Sequence, residues 1–183
     1  MEYQKSYLNY TVYDYTSLFQ VMEILLLSSL CYFLPMVMTH PQWVLGTIVN
    51  AILFRLALSS KFVRTLPAIL LPSLGVFTAG LLFGSLTKYV IYFIPFIWIA
   101  NSIYVLAIKY ISHKYEQNYT SNVIVPSLLK SAFLFAAALL MVYVFSFPAA
   151  FLTAMGLMQL FTALGGGYLA SIITKLEMVI RKA

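Results

Sequence analysis

Charge is scarce in this chain: Asp, Glu, Lys and Arg make up 9% of its 183 residues, against about 25% in an ordinary soluble domain. Acid is scarcer than base, with 5 Asp and Glu against 11 Lys and Arg. The carboxylates, Glu2, Asp14, Glu23, Glu116 and Glu177, are scattered, and no two stand as a general acid–base pair. The 2 histidines, His40 and His113, fall on opposite faces of the membrane in the reading below, so they cannot share a metal. The single cysteine, Cys31, has no partner for a disulfide or a thiolate metal site and reads as a small buried apolar residue. There is no P-loop and no dinucleotide fingerprint, and the glycine run Gly165-Gly166-Gly167 lies inside an apolar helix. The sequence therefore supports no enzyme, no metal centre and no cofactor. Any coupling to ATP would come from another subunit.

What the chain has in abundance is apolar length, with 62% hydrophobic residues. Crossing about 30 Å of hydrocarbon takes roughly 20 residues of helix. Six runs qualify: Leu18 to Met38, Trp43 to Ser59, Phe62 to Phe83, Lys88 to Ile111, Val123 to Phe145 and Ala149 to Lys175. The expected fold is all-α, an integral membrane bundle of six transmembrane helices spanning residues 18–176. A polar, tyrosine-rich tail (1–17) precedes it and a basic tail (177–183) follows. The start of the chain lacks the basic region, short apolar core and cleavage site of a secretory signal, so the first span is expected to stay attached. The tail tyrosines, Tyr3, Tyr7, Tyr10, Tyr13 and Tyr15, suit the headgroup level.

The net charge of +6 lies at the ends of apolar runs, with no basic stripe interleaved with aromatics, so the expected partner is a lipid bilayer and no nucleic acid. Lys5, Lys61, Arg64, Lys109, Lys114, Lys175, Arg181 and Lys182 share the face of the termini, and Lys88 stands opposite. By the excess of positive charge in cytoplasmic loops, both termini are expected in the cytoplasm of a multi-pass plasma-membrane protein. Ser112 to Asn122 is the one sizeable polar loop. The other connections leave no room for an external domain.

Polar residues inside the runs need partners, because a charge at the bilayer centre costs about 2.5–3.5 kcal/mol on insertion scales. Glu23 and Arg55 lie at matching depth in the first two, antiparallel spans and are expected to form a structural ion pair. Asn50, Asn101 and Gln159 project near the midplane, with Thr78 and Thr162 at comparable depth. Such amides bond a neighbouring helix or a ligand. Several at one level make a small polar pocket, with Trp98 and Tyr92 toward its mouth. Pro67 and Pro72 predict a kinked or broken third helix. The glycines and alanines of the last two spans suit close helix approach, with the three-glycine run as a possible site of distortion.

The motifs Gly46-Thr47-Ile48-Val49-Asn50-Ala51, Phe93-Ile94-Pro95-Phe96-Ile97-Trp98-Ile99-Ala100-Asn101 and Met155-Gly156-Leu157-Met158-Gln159-Leu160, followed by Thr162-Ala163-Leu164-Gly165-Gly166, occur in that order. In this order of features, from Trp43 to Leu176, the chain resembles the substrate-binding (S) components of energy-coupling factor (ECF) transporters. The resemblance implies a six-helix bundle that captures a vitamin or other micronutrient from the outer face and works with a transmembrane coupling subunit and two ATPases. It makes Asn50, Asn101 and Gln159 pocket residues, in agreement with the depth argument, which adds Trp98 and Thr78 to the expected substrate-binding set. The chain departs from the family on its first helix, where Leu25 to Leu34 offers Ser28, Ser29 and Cys31 in place of an A-x-x-x-A face. That spacing occurs instead at Ala132 and Ala136 and at Ala150 and Ala154. Two expectations follow. A substrate-binding subunit requires a polar pocket between the second, fourth and sixth helices, whereas a structural subunit anchoring a larger complex requires the three amides bonded to one another and no cavity.

Overall fold

The computed structural model describes residues 7–12, 16–38, 41–80, 86–114 and 119–180. Among the described residues seven α-helices follow a short 3-10 turn, Tyr7–Asn9: α1 Ser17–Val37, α2 Gln42–Ser59, α3 Phe62–Ala79, α4 Thr87–Lys114, α5 Tyr119–Phe145, α6 Ala150–Met155 and α7 Leu157–Ile180. Six helical segments are long and apolar enough to cross a membrane, α6 and α7 together counting as one. The chain is an all-helical, multi-pass membrane protein.

α2 is the central column. It packs most extensively on α7 and also touches α1, α3 and α4, and 61% of its apolar window is buried, against 22% for α1. α1 lies outermost, on α3 and the flank of α2. Large apolar side chains cover the outside, among them Leu18, Leu25, Leu26, Tyr143 and Phe161. A soluble monomer rarely exposes so much continuous apolar surface, and hydrocarbon is the solvent that suits it.

Glycine allows the central pair of helices to approach closely. A Cβ on Gly166 would lie 2.6 Å from the Thr47 carbonyl oxygen and 2.7 Å from the Ala51 nitrogen. Only a residue without one lets α7 rest on the α2 backbone. The three-glycine run is thus regular helix, and the distortion of the last span falls at Gly156, which separates α6 from α7 with φ −96° and ψ −94°.

Of the kink or break expected in the third helix, the break does not occur. α3 runs unbroken through Pro67 and Pro72 and stops at Gly80, whose φ of 68° is left-handed. Pro72 has no N–H to give the Ala68 carbonyl, and the next two carbonyls of this turn take donors from α4. Asn101 Nδ2 donates to the Ile69 carbonyl at 3.1 Å and Trp98 Nε1 to the Leu70 carbonyl at 3.2 Å. These two bonds tie α4 to α3 beside the proline.

The described residues also show how the ends sit. Residues 7–12 fold back on the bundle: Tyr7 meets Tyr110 edge-on, Tyr10 packs on His113, and the Val12 N–H donates to the Leu58 carbonyl at 2.8 Å. Buried Lys109 donates through Nζ to the carbonyls of Tyr10 and Ser60, holding this strap to the loop between α2 and α3. At the other terminus α7 continues past Leu176 to Ile180.

Candidate functional site: a cavity within the bundle

At the end of the bundle away from the termini, the helices part around a cavity of about 120 Å³. α2 contributes Leu45, Gly46, Val49 and Asn50, α3 Pro72, Ser73 and Val76, and α4 Val90, Ile97 and Asn101. Lys130 of α5, Met155 of α6, and Gln159 and Thr162 of α7 complete the wall. Trp43 and Met158, both lining residues, are exposed and mark the outer rim. A mostly apolar wall with a few convergent polar groups is the usual make-up of a small-molecule site.

The three amides anticipated from depth all line this cavity, but they are not bonded to one another. Asn50, 2% exposed, donates through Nδ2 to the Gly46 carbonyl at 2.9 Å and to Thr162 Oγ1 at 3.2 Å. Asn101 reaches the α3 backbone as described. Half-buried Gln159 makes no side-chain hydrogen bond among the described residues, and its backbone carbonyl accepts from Thr162 Oγ1. Its amide is the least committed polar group at the cavity.

Trp98 and Thr78 are not among the lining residues. Trp98 stands one layer behind the wall, its Nε1 donating to Ser73 Oγ at 2.8 Å. Ser73 does line the cavity, so Trp98 fixes a wall residue from behind. Thr78 is exposed and donates to the carbonyls of Leu74 and Gly75. Tyr92, also exposed, packs against Phe147.

Lys130 is the residue that sequence reasoning missed. It is 2% exposed, donates through Nζ to Asn50 Oδ1 at 2.6 Å and sits 5.3 Å from the centre of the Tyr104 ring. The signal was present: Lys130 is the one basic residue in the interior of the fifth apolar run, and an ionisable residue there reads as functional by default. A count of charges at helix ends passes over it.

The Glu23 and Arg55 pair lies toward the termini, well away from the cavity wall. Arg55 Nε donates to Glu23 Oε1 at 2.9 Å, and Nη1 donates to Glu177 Oε2 at 2.6 Å. Glu177, assigned from sequence to the tail, therefore joins α7 to α1 and α2. Among the described residues no three His, Cys, Asp or Glu side chains come together as a metal site. No family model, curated protein or solved structure matches the chain.

Proposed function

We propose that this protein is a membrane-embedded substrate-binding subunit of the energy-coupling factor type, taking a small molecule from the outer face of the plasma membrane. The observation that carries the reading is the cavity itself. It brings Asn50, Asn101 and Gln159 to one space, although they come from distant parts of the sequence. A bundle needing amides only as glue would bond them to each other and close the gap. In this reading both termini are cytoplasmic, the cavity opens outward, and binding proceeds by burial and hydrogen bonding with no covalent chemistry. Transport then requires a coupling subunit and ATPases supplied by other chains.

A second reading, a structural subunit that anchors a larger complex, draws on a different feature. A groove of about 730 Å³ runs between α1, α2 and α7, lined by Leu26, Leu30, Ile52 and Ile173 and by Glu23, Arg55 and Glu177. A partner's transmembrane helix would fit there. Native mass spectrometry of protein purified from its host in mild detergent separates the two readings. A retained small molecule, lost on Asn101→Leu, is the expected result. A stoichiometric complex without ATPases and without a small molecule would instead leave the anchor.

A further inference from the structure

We propose that the cavity is an anion site and that its ligand is a small organic carboxylate whose charge is met by Lys130. The inference rests on the binding-subunit reading and names the ligand class for it. Lys130 is buried at membrane depth, where a cation needs a counter-charge or a set of acceptors such as the two carbonyls that hold Lys109. An ammonium has three N–H donors, and one is used, on the neutral oxygen of Asn50. The Tyr104 ring face takes part of the charge, while the Tyr104 hydroxyl is turned away to the Ala163 carbonyl.

No carboxylate among the described residues answers Lys130. Glu23 and Glu177 are both engaged by Arg55, and Glu2, Asp14 and Glu116 lie outside the described residues. The missing negative charge is therefore a property of the space that Lys130 borders. A ligand carboxylate placed there accepts from the two remaining N–H groups, with the Gln159 amide as a further donor on the same cavity wall. Charge-assisted hydrogen bonds of this kind are about twice as strong as neutral ones.

The rest of the wall sets the ligand body. Leu45, Val49, Val76, Val90, Ile97 and Met155 are apolar, and about 120 Å³ is close to the roughly 150 Å³ of an engineered cavity that takes up benzene. The ligand is then a compact apolar group bearing one carboxylate. A highly charged or strongly hydroxylated molecule would leave its polar groups unpaired against that wall.

The test uses the full chain in mild detergent, with thermal unfolding and native mass spectrometry in the presence of propionate or benzoate, and of propionamide or benzamide as neutral counterparts. At least one carboxylate is expected to bind and raise the unfolding temperature while its amide does not. Lys130→Gln is expected to weaken that binding about tenfold or more, and Lys130→Arg to retain it within about tenfold, the range of one charge-assisted bond. The comparison of acid with amide on the unaltered protein needs no variant, so it survives a folding failure of either substitution. Equal binding of acid and amide, binding unchanged in Lys130→Gln, or no carboxylate bound overturns the anion site. If a neutral probe or a neutral host molecule is then still held, and lost on Asn101→Leu, the binding-subunit reading stands; if nothing binds at all, it falls too.

Discussion

Asn50 Oδ1 accepts a hydrogen bond from Lys130 Nζ across 80 residues of sequence, and the same Asn50 side chain bonds Thr162 through Nδ2. One amide thereby ties α2, α5 and α7 at the wall of the cavity. Asn50→Leu is expected to destabilise the bundle by about 3 kcal/mol, because it strips a buried cation of its acceptor. Asn101→Leu, which breaks a neutral interhelical bond, is expected to cost about 1 kcal/mol. Denaturation in mixed micelles measures both. Equal costs would show that Lys130 does not depend on Asn50.

Arg55 holds two carboxylates of unequal exposure, the Glu23 side chain at 10% and the Glu177 side chain at 41%. Arg55→Leu is expected to cost about 3 kcal/mol by orphaning Glu23, largely shielded at 10% side-chain exposure, and a second change, Glu23→Leu, to recover most of it. Glu177→Gln is expected to cost under about 1 kcal/mol, as exposed pairs do. The same denaturation series decides this, and a double variant as unstable as the single one would refute the pairing argument.

Adjacent glycines of α7 should behave differently. A Cβ on Gly165 would meet Thr47 Cγ2 at 3.5 Å, ordinary contact, whereas one on Gly166 would press on the α2 backbone. Gly165→Ala is therefore expected to give monodisperse protein on size exclusion, and Gly166→Ala to aggregate or lose yield severalfold. Similar yields would mean that α2 and α7 have room to part.

Topology has a direct assay. Cys31, the one cysteine of the chain, is 0% exposed, so introduced cysteines report alone. On intact cells an impermeant maleimide is expected to label Lys88→Cys and to spare Lys114→Cys until the membrane is opened. Both native residues are exposed at opposite ends of α4. The reverse pattern would invert the protein and turn the cavity inward.

Lys109 fastens the amino-terminal strap. Lys109→Met removes its bonds to the Tyr10 and Ser60 carbonyls and is expected to speed proteolytic cleavage within residues 7–12 severalfold without shifting bulk unfolding. Unchanged cleavage would mean that the Val12 bond and the aromatic contacts suffice.

Apolar length and the periodic loss of charge determined from sequence alone that the chain is a helical membrane bundle of six spans, because hydrocarbon admits few other ways to satisfy a backbone. Depth counting along those spans was also enough to bring Glu23 to Arg55 and to put Asn50, Asn101 and Gln159 at one level, since 1.5 Å per residue converts position into height. Helical phase and neighbour identity were not legible. Whether Trp98 faces the cavity or stands behind Ser73, whether α3 breaks at Pro72 or runs on beside Asn101, and whether Gly156 or Gly166 carries the distortion all depend on which helix lies alongside. Lys130 shows the same division. Its place in an apolar run was written in the sequence, but only the packing of α5 against α4 and α7 brought it to Asn50, Tyr104 and the cavity, because that partnership joins residues far apart in the chain.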